Sequence, residues 1–475
     1  MIQLYNPVEI GEGGTRLGVV QPSGGRNALR PLKSSAAITL ASVAGIAATS
    51  VNSLILAFML GPSGVGLVAT LISIPTIVIV LSNWGLHSAG LYHLGQQKYA
   101  DVEIVSSVVW MGVAIGLLLL GAGLAGMSIL TRLIPEAPAT PIFLALAAIL
   151  PQVLLLYFGD IAIGLGKTST AVLMRILPGA GYLILSLGLV VLSRLGVTGA
   201  MIAYLTGMWG AATAGFVSLF RSGALRLTVS WPFVKEALRF GFQSHIGDIA
   251  QYLVYRLDLP LVSYYAGLSA AGYYSVAVRI AELLWLPSNS LRAVLLAHVS
   301  SSQNADADKL TALLSRVLLV FSVLAAILLG AAGQLLIGWI LPQYLPAVPL
   351  LWVLLPGVVT ASVFRVLIGD ITGRGTPGRV AQITVGGLLA GLALYLILIP
   401  RLGAMGAALT SSVLYFGEYI VVLIVLASRS KMPVRDFVLI RRQDLSVMMG
   451  IARRNASSVT AALKGSWIHV GNTRR

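Results

Sequence analysis

The chain has 475 residues, of which 57% are apolar and only 10% are charged. Soluble domains carry roughly 25% charged residues, so most of the outer surface of this protein must face lipid rather than water. The absence of cysteine excludes disulfides, thiolate metal sites and cysteine nucleophiles. The net charge of +16 favours cytosolic loops rich in Lys and Arg over a nucleic-acid surface. We therefore predict an integral membrane protein with no nucleic-acid partner and no cofactor.

Long apolar stretches recur along nearly the whole chain, the first beginning near residue 36 behind a polar segment that does not look like a signal peptide. A membrane-spanning helix needs about 20 mostly apolar residues. Continuous apolar runs select helices, because barrel strands would alternate in polarity. We predict an all-α polytopic membrane protein with twelve transmembrane helices. The predicted spans are residues 36–60, 64–90, 104–127, 139–163, 170–193, 198–220, 240–265, 271–297, 309–332, 345–369, 379–400 and 403–427.

Basic residues are divided unequally between the two sides of the predicted membrane. The connections on one side hold only Arg132, Arg194 and Arg401, whereas the other connections and both terminal tails hold almost all the remaining Lys and Arg. The positive-inside rule places the richer side in the cytosol. Both termini are therefore predicted to be cytosolic.

The span pattern also predicts the domain organisation. We expect a cytosolic N-terminal tail, an N-lobe of spans 1–6, a cytosolic amphipathic connection, a C-lobe of spans 7–12 and a basic cytosolic tail. These five segments are residues 1–35, 36–220, 221–239, 240–428 and 429–475.

Two of the predicted connections have an amphipathic pattern. Residues 230–240, with Ser230 as a helix cap and Pro232 in the first turn, fit either an interfacial helix or a solvated linker. Residues 437–454 leave the same two possibilities open.

The two halves of the chain repeat one another. Residues 61–66 and 267–272 both read G-x-S-x-x-G, and residues 194–200 and 401–407 both read R-L-G-x-x-G-A. These pairs occur in the same order at a nearly constant offset. An even number of spans in each repeat gives both halves the same orientation in the membrane. Paired repeats of this kind are typical of transporters that move around a central site by alternating access.

Charged residues at membrane depth are expected either to pair or to line a wet cavity. Spans 7 and 8 are predicted to form a hairpin that turns near Leu268–Ser269. Asp258 and Arg279 then lie at equal depth on neighbouring helices, and Arg256 and Glu282 nearly so. Two ion pairs that lock the hairpin are one interpretation. Cavity groups that exchange partners during transport are the other.

Span 8 carries a polar stripe. At about 3.6 residues per turn, Ser275, Arg279, Glu282 and Asn289 share one face, which we expect to line a cavity because a polar stripe facing lipid is unfavourable. Pro287 is expected to kink this helix.

Three stretches resemble a known family of transporters. Residues 60–66, L-G-P-S-G-V-G, resemble the L-G-P-x-x-x-G loop of bacterial oligosaccharide flippases, and residues 255–282 and 400–408 resemble two of their other signatures. These are the polysaccharide transporters of the multidrug/oligosaccharidyl-lipid/polysaccharide exporter superfamily. The resemblance covers about residues 36–430. It implies a V-shaped alternating-access transporter built from two parallel six-helix repeats around a cavity.

The same resemblance implies a function. The chain would be a transporter, not an enzyme, that moves undecaprenyl-diphosphate-linked oligosaccharide repeat units from the inner to the outer leaflet for surface polysaccharide, lipopolysaccharide or exopolysaccharide. It would be a multi-pass protein of the bacterial inner membrane. Its expected partners are the lipid-linked oligosaccharide, membrane lipids, a polysaccharide polymerase and the chain-length machinery.

A diphosphate needs cationic partners with several donors, and Arg supplies five. We therefore expect buried arginines to bind the headgroup, with Arg365 as the best single candidate because it has no carboxylate at matched depth. The full set of substrate-cavity candidates is Arg256, Arg279, Arg292, Arg365, Glu282, Asn289, Asp258 and Glu418.

Other functions remain as alternatives. A multidrug or small-molecule antiporter of the same superfamily would be expected to carry an acid in the first span, which instead has Asn52 and no charge. A membrane glycosyltransferase would need a sizeable polar loop, and the predicted loops are short. Gly166-Lys167-Thr168 resembles the end of a P-loop, but Ile161 stands where that motif requires its first glycine.

Overall fold

A computed structural model describes residues 29–301, 305–441 and 444. The described residues form helices joined by short turns and contain no strand. The helices are α1 Leu29–Ser82, α2 Leu86–Gln96, α3 Asp101–Ala125, α4 Met127–Leu133, α5 Ala139–Ala147, α6 Ile149–Gly164, α7 Thr168–Ser186, α8 Gly196–Arg221, α9 Trp231–Arg256, α10 Asp258–Ala281, α11 Trp285–Ser301, α12 Ala305–Ile340, α13 Ala347–Gly373, α14 Pro377–Leu402, α15 Ala404–Ser430 and α16 Arg435–Val438.

Two of these helices each contain a sharp turn at a glycine. α1 turns at Gly61, with φ 67° and ψ 180°, and α10 turns at Gly267, with φ 84° and ψ 170°. Side chains with a Cβ disfavour such positive φ angles, so glycine is the natural residue at both places. Each turn opens a copy of the repeated G-x-S-x-x-G motif. α1 therefore contains spans 1 and 2, and the turn of α10 joins spans 7 and 8.

The two turns meet at one end of the molecule, called here the hairpin end (residues 61–66 and 267–272). A Cβ on Gly66 would collide with the carbonyl oxygen of Leu268, and a Cβ on Gly272 would collide with the carbonyl oxygen of Pro62. The contact is reciprocal, as expected for two repeats related by a pseudo-twofold axis. The halves of the chain thus touch backbone to backbone at this end.

The number of spans agrees with the prediction. Nine helical segments in the described residues are long and apolar enough to cross a membrane, with α5 and α6 together forming one of them, Ala139–Gly164. The first segment, Ala37–Ser82, bends at Gly61 and holds two spans. Spans 7 and 8 come from α9, α10 and α11, which carry more charged residues than the others. Together these helices form the predicted twelve spans.

The segment between the halves is helical over most of residues 230–240. These residues begin a longer helix, because α9 runs without interruption from Trp231 to Arg256. Ser230 occupies the cap position but its side chain makes no cap hydrogen bond, whereas Pro232 lies in the first turn as predicted. Phe233 is fully buried, so the start of α9 is packed against the protein.

Several polar contacts hold this connection on the first half. Lys98 Nζ lies 2.7 Å from Glu236 Oε2, and the Tyr99 hydroxyl donates to the same carboxylate at 2.7 Å. The indole of Trp110 donates to the Arg226 carbonyl at 2.8 Å. The connection therefore belongs structurally to the helices that precede it.

Span 8 is kinked as predicted. α10 ends at Ala281, a 3-10 turn covers Glu282–Leu284, and α11 begins at Trp285. A proline clashes with the carbonyl four residues earlier, which for Pro287 is that of Leu283, inside this turn. The kink therefore lies just before the proline.

The tail after α15 folds back onto the second half. Phe437 of α16 is buried, and Arg316 of α12 binds Asp444 with both carboxylate oxygens at 2.6 and 2.8 Å. Most of the predicted amphipathic segment 437–454 lies outside the described residues, as does most of the predicted N-terminal tail 1–35.

Candidate functional site

Arg365 lies between two aromatic rings in the second half of the chain. Its guanidinium carbon is 3.9 Å from the ring centroid of Trp285 and 4.4 Å from that of Tyr255. Tyr415 closes the cluster, with its ring centroid 5.4 Å from that of Tyr255 and 6.4 Å from that of Trp285. Aromatic faces attract a cation through the ring quadrupole. The rings therefore stabilise the positive charge of Arg365 without neutralising it.

Arg365 has no carboxylate partner among the described residues. No acidic group there lies within 4 Å of its guanidinium nitrogens, and its Nε is buried without a hydrogen-bond acceptor. A buried donor without an acceptor is costly. This arginine thus has donor capacity left for an anionic ligand.

Arg256 and Glu282 form the ion pair that their matched depth predicted. Arg256 Nη1 lies 3.1 Å from Glu282 Oε1, and Nη2 donates to Oε2 at 3.1 Å. The side chain of Arg256 is 41% exposed and that of Glu282 is 20% exposed. Arg256 is the last residue of α9, and Glu282 is the first residue of the 3-10 turn. The pair therefore joins the two breaks in spans 7 and 8.

The second predicted pair, Asp258 with Arg279, is wrong. Asp258 is 3% exposed and accepts hydrogen bonds from the Tyr274 hydroxyl at 2.5 Å and from the Leu259 N–H at 2.7 Å. Arg279 is exposed and forms no ion pair within the part of the chain that the structure describes. Equal depth did not predict the contact, because a new helix begins at Asp258, after the break at Leu257, and the Asp258 side chain there accepts a hydrogen bond from the Leu259 amide.

Arg292 lies next to the aromatic cluster. A Cβ on Gly369 of α13 would lie 3.2 Å from Arg292 Cγ, so the stem of Arg292 packs on this glycine. Gly369 follows Arg365 by four residues and hence lies on the same face of α13. Arg292 and Arg365 therefore line one seam between α11 and α13.

The remaining candidates divide between exposed and buried positions. Asn289 is exposed, one turn before Arg292 on α11. Glu418 of α15 is only 4% exposed, and it packs against Gly387 of α14, where a Cβ would lie 2.6 Å from its Oε1. Glu418 is thus enclosed between helices and does not line an open surface in this structure.

The structure brings four of the candidate arginines, Arg256, Arg279, Arg292 and Arg365, onto α9, α10, α11 and α13 of the second half. Sequence reasoning missed the aromatic partners of Arg365. Tyr255 directly precedes Arg256, and Trp285 follows Glu282 by one turn, so aromatic residues beside in-span charges were the available signal.

The family comparison supports the resemblance. A family model described as "Polysaccharide biosynthesis protein" matches residues 55–349. The chain is also 30% identical over 241 residues to the succinoglycan biosynthesis transport protein ExoT of Rhizobium meliloti (strain 1021). That match covers 48% of this chain and 45% of the relative, so the chain spans less than half of the relative's length.

Two experimental structures share the fold. One is an inward-facing multidrug resistance MATE family transporter of the MOP superfamily, with a TM-score of 0.67, 16% identity, and coverage of 81% of this chain and 94% of that chain. The other is the lipid II flippase MurJ in an inward closed conformation, with a TM-score of 0.67, 15% identity, and coverage of 86% and 89%. The chain belongs to the polysaccharide biosynthesis protein family and shares the fold of these two transporters.

Proposed function

We propose that this protein is a flippase that moves undecaprenyl-diphosphate-linked oligosaccharide repeat units from the inner to the outer leaflet of the bacterial inner membrane. The observation that carries the proposal is Arg365, held by Trp285 and Tyr255 at 3.9 and 4.4 Å with no carboxylate partner among the described residues. An ion-paired arginine would have to lose its partner before it could bind a ligand. Arg365 is ready to bind an anion.

The chemistry of the substrate suits such a site. A lipid diphosphate carries several negative charges that must pass a low-dielectric region, where lipid alone provides no counter-charge. Guanidinium groups bind phosphate oxygens with paired hydrogen bonds. Arg365 and Arg292 lie along one seam, and the exposed Arg279 adds positive charge on a neighbouring helix. We propose that the second lobe, residues 240–428, provides the diphosphate site.

The hairpin end supplies a gate. Backbone contacts at Gly66 and Gly272 close the gap between the two lobes at that end. Substrate release there requires these turns to separate while the opposite end closes, which is the movement of alternating access. The predicted connections at the hairpin end hold three basic residues, Arg132, Arg194 and Arg401. This small number of basic residues favours placement of the hairpin end on the outer side of the membrane. The proposal therefore places both termini in the cytosol and makes the structure closed to the outside.

The second candidate function is a multidrug or small-molecule antiporter, because one of the similar structures is a multidrug transporter. The first span of this chain carries the fully buried, neutral Asn52 where such antiporters are expected to carry an acid. We favour the flippase, acting as a transporter and not as an enzyme, with a polymerase and chain-length machinery as proposed partners.

The function is tested at Arg365 in a strain that depends on this protein for surface polysaccharide. Arg365→Met keeps an unbranched side chain between the rings but removes the charge, so we expect folded protein and at least a tenfold loss of polysaccharide, the scale of about 1.4 kcal/mol. Arg365→Lys should restore part of the activity, because it supplies a point charge in place of a planar fork.

Arg132→Met is the matched control, since Arg132 is exposed at the hairpin end. Protein amount and detergent-extracted monodispersity are measured for each variant. Normal export by well-folded Arg365→Met would exclude Arg365 from the transport path.

A further inference from the structure

Glu418 is a carboxyl group in the middle of α15 that has no ion-pair or hydrogen-bond partner among the described residues. The residue is 4% exposed, its Oε1 lacks a hydrogen-bond donor, and no basic group in the described residues lies within 4 Å of it. Gly387 of α14 packs directly against the carboxyl, and a Cβ there would lie 2.6 Å from Oε1. Glycine at this position leaves the space that the acid occupies.

Such surroundings favour the neutral form of an acid. Transfer of a carboxylate out of water without donors is so costly that the group takes up a proton instead. Asp370 shows the contrast at the same level of burial: it is fully buried but accepts hydrogen bonds from Thr311, Arg374 and Arg429. Asp370 thus has three residues that donate to it, whereas Glu418 has no donor among the described residues.

Arg365 acts against this effect of burial. Arg365 of α13 lies near Glu418 without direct contact, because its guanidinium carbon is 4.4 Å from the ring of Tyr255, whose centroid is 5.4 Å from that of Tyr415, one turn before Glu418 on α15. The phenols of Tyr255 on α9 and Tyr395 on α14 also lie near the carboxyl, and that of Tyr395 is hydrogen-bonded to Ser411. Asp258 of α10 is already bound to a tyrosine hydroxyl. The protonation of Glu418 therefore depends on whether the charge of Arg365 is free.

We propose that Glu418 is a proton-binding site linked to anion binding at Arg365. When Arg365 is free, its positive charge favours the Glu418 carboxylate. When a diphosphate binds Arg365, that field is cancelled and Glu418 takes up a proton from the solution: an O–H bond forms on a carboxylate oxygen while an O–H bond of hydronium breaks and releases water. The linkage rests on the diphosphate site proposed above. By reciprocity, lower pH must strengthen anion binding by the same factor.

The linkage can be measured with farnesyl diphosphate, a soluble prenyl diphosphate, and the purified full-length protein. Calorimetric titrations in two buffers of different ionisation enthalpy give the number of protons taken up per ligand bound. We expect net proton uptake by the native protein. We also expect the affinity to rise several-fold between pH 8.5 and 6.5, within the roughly 5- to 150-fold range typical of coupled sites.

Glu418→Gln keeps the shape of the neutral acid, so this variant should still bind farnesyl diphosphate. Its measured proton uptake should lack the proton that Glu418 takes up in the native protein. The exposed Glu136 provides the matched control, Glu136→Gln, which should behave as the native protein. Farnesyl diphosphate can itself gain or lose protons on binding. This contribution to the measured proton uptake is the same for the native protein, Glu418→Gln and Glu136→Gln. Glu418→Asp keeps an ionisable group and should retain uptake with a different pH midpoint. Unchanged proton uptake by folded Glu418→Gln would overturn the proposal.

A ligand-free measurement separates this proposal from the function on which it rests. Infrared titration of the native protein should reveal a protonated carboxyl C=O band that is lost in Glu418→Gln, shifted in Glu418→Asp and retained in Glu136→Gln. Absence of that band across pH 5 to 9 would overturn the proton site even if the probe binds. Presence of the band without any probe binding would refute the diphosphate site and the linkage, while leaving the proton site in place.

Discussion

At the scale of single residues, the charges in spans 7, 8 and 10 are stabilised in different ways. Arg256 and Glu282 neutralise one another, Asp258 is held by a tyrosine hydroxyl and a backbone amide, and Arg365 is stabilised by aromatic rings. Each solution satisfies the requirement that a charge at membrane depth have a partner or a wet surface. Of these three arrangements, only the aromatic rings around Arg365 leave the charge available to a ligand.

Charge exchange distinguishes the two predicted hairpin pairs. Arg256→Glu alone and Glu282→Arg alone each place like charges together, so we expect less folded protein than with the double exchange, which restores the pair. The exchange of Asp258 with Arg279 should give no rescue, because these residues do not meet and an arginine in place of Asp258 could not accept the hydrogen bond from Tyr274. For both sets of variants, the amount of folded protein is measured after detergent extraction. Rescue by the second exchange would contradict the arrangement of α10.

At the scale of elements, close backbone contact and buried ion pairs fix how the helices are joined. The glycine-rich turns of α1 and α10 touch at the hairpin end, while a network of Asp308, Asp370, Arg374 and Arg429 ties α12, α13 and α15 together. The first contact joins the two lobes, and the second lies within one lobe. Movement between lobes should therefore break the hairpin contact and leave the ion network intact.

Alanine in place of a glycine at the hairpin end should make the closed arrangement of the two turns less favourable. Gly66→Ala and Gly272→Ala place a Cβ against the carbonyls of Leu268 and Pro62, so we expect a smaller population closed at this end and reduced export. The chain has no cysteine, so Ser63→Cys with Ser269→Cys gives a clean cross-linking pair, whose yield should fall in both alanine variants.

Gly121→Ala is the matched control for this test, because a Cβ at Gly121 meets open space. Alanine in an exposed helical position is neutral or slightly stabilising relative to glycine. Equal cross-linking in the Gly66→Ala, Gly272→Ala and control proteins would be inconsistent with a hairpin gate.

The folded-back tail makes a separate prediction. Asp444→Asn leaves Arg316 buried without its ion partner, which should destabilise the protein by about 3 kcal/mol. Hydrogen bonds from Arg316 hold the pKa of Asp444 below its usual value of 3.8. This contribution is therefore fully present above about pH 4 and is lost as the pH falls through the lowered pKa. Asp306→Asn, at an exposed carboxylate, is the control in thermal unfolding; equal melting temperatures would refute the role of the tail.

At the scale of the whole molecule, the twelve spans and the repeat define a topology that can be tested without any substrate. Reporter fusions after Arg132, Arg194, Ser269 and Arg401 should report the outside. Fusions after Lys98, Arg226 and Asp306 should report the cytosol, because the basic connections stay inside. A cytosolic report at Ser269 would contradict both the orientation and the closed outer gate proposed above.

The sequence by itself determined the class of the fold. Apolar runs of spanning length, the repeated turn motif at Gly61 and Gly267 and the kink before Pro287 were all predictable, because each depends on local chemistry: burial in lipid, positive φ, and a missing amide donor. Matched depth also predicted the contact between Arg256 and Glu282, since both lie close to the breaks of one hairpin.

Only the tertiary structure decided how the charges are used. Depth along a helix follows from counting residues, but the direction of a side chain around the helix axis depends on breaks and packing, so Asp258 binds Tyr274 and leaves Arg279 exposed. The rings around Arg365 come from α9 and α11, and no local pattern links residues so far apart in sequence. The enclosure of Glu418 beside Gly387 likewise appears only when α14 and α15 pack together. Packing decided these partners because it brings distant residues into contact.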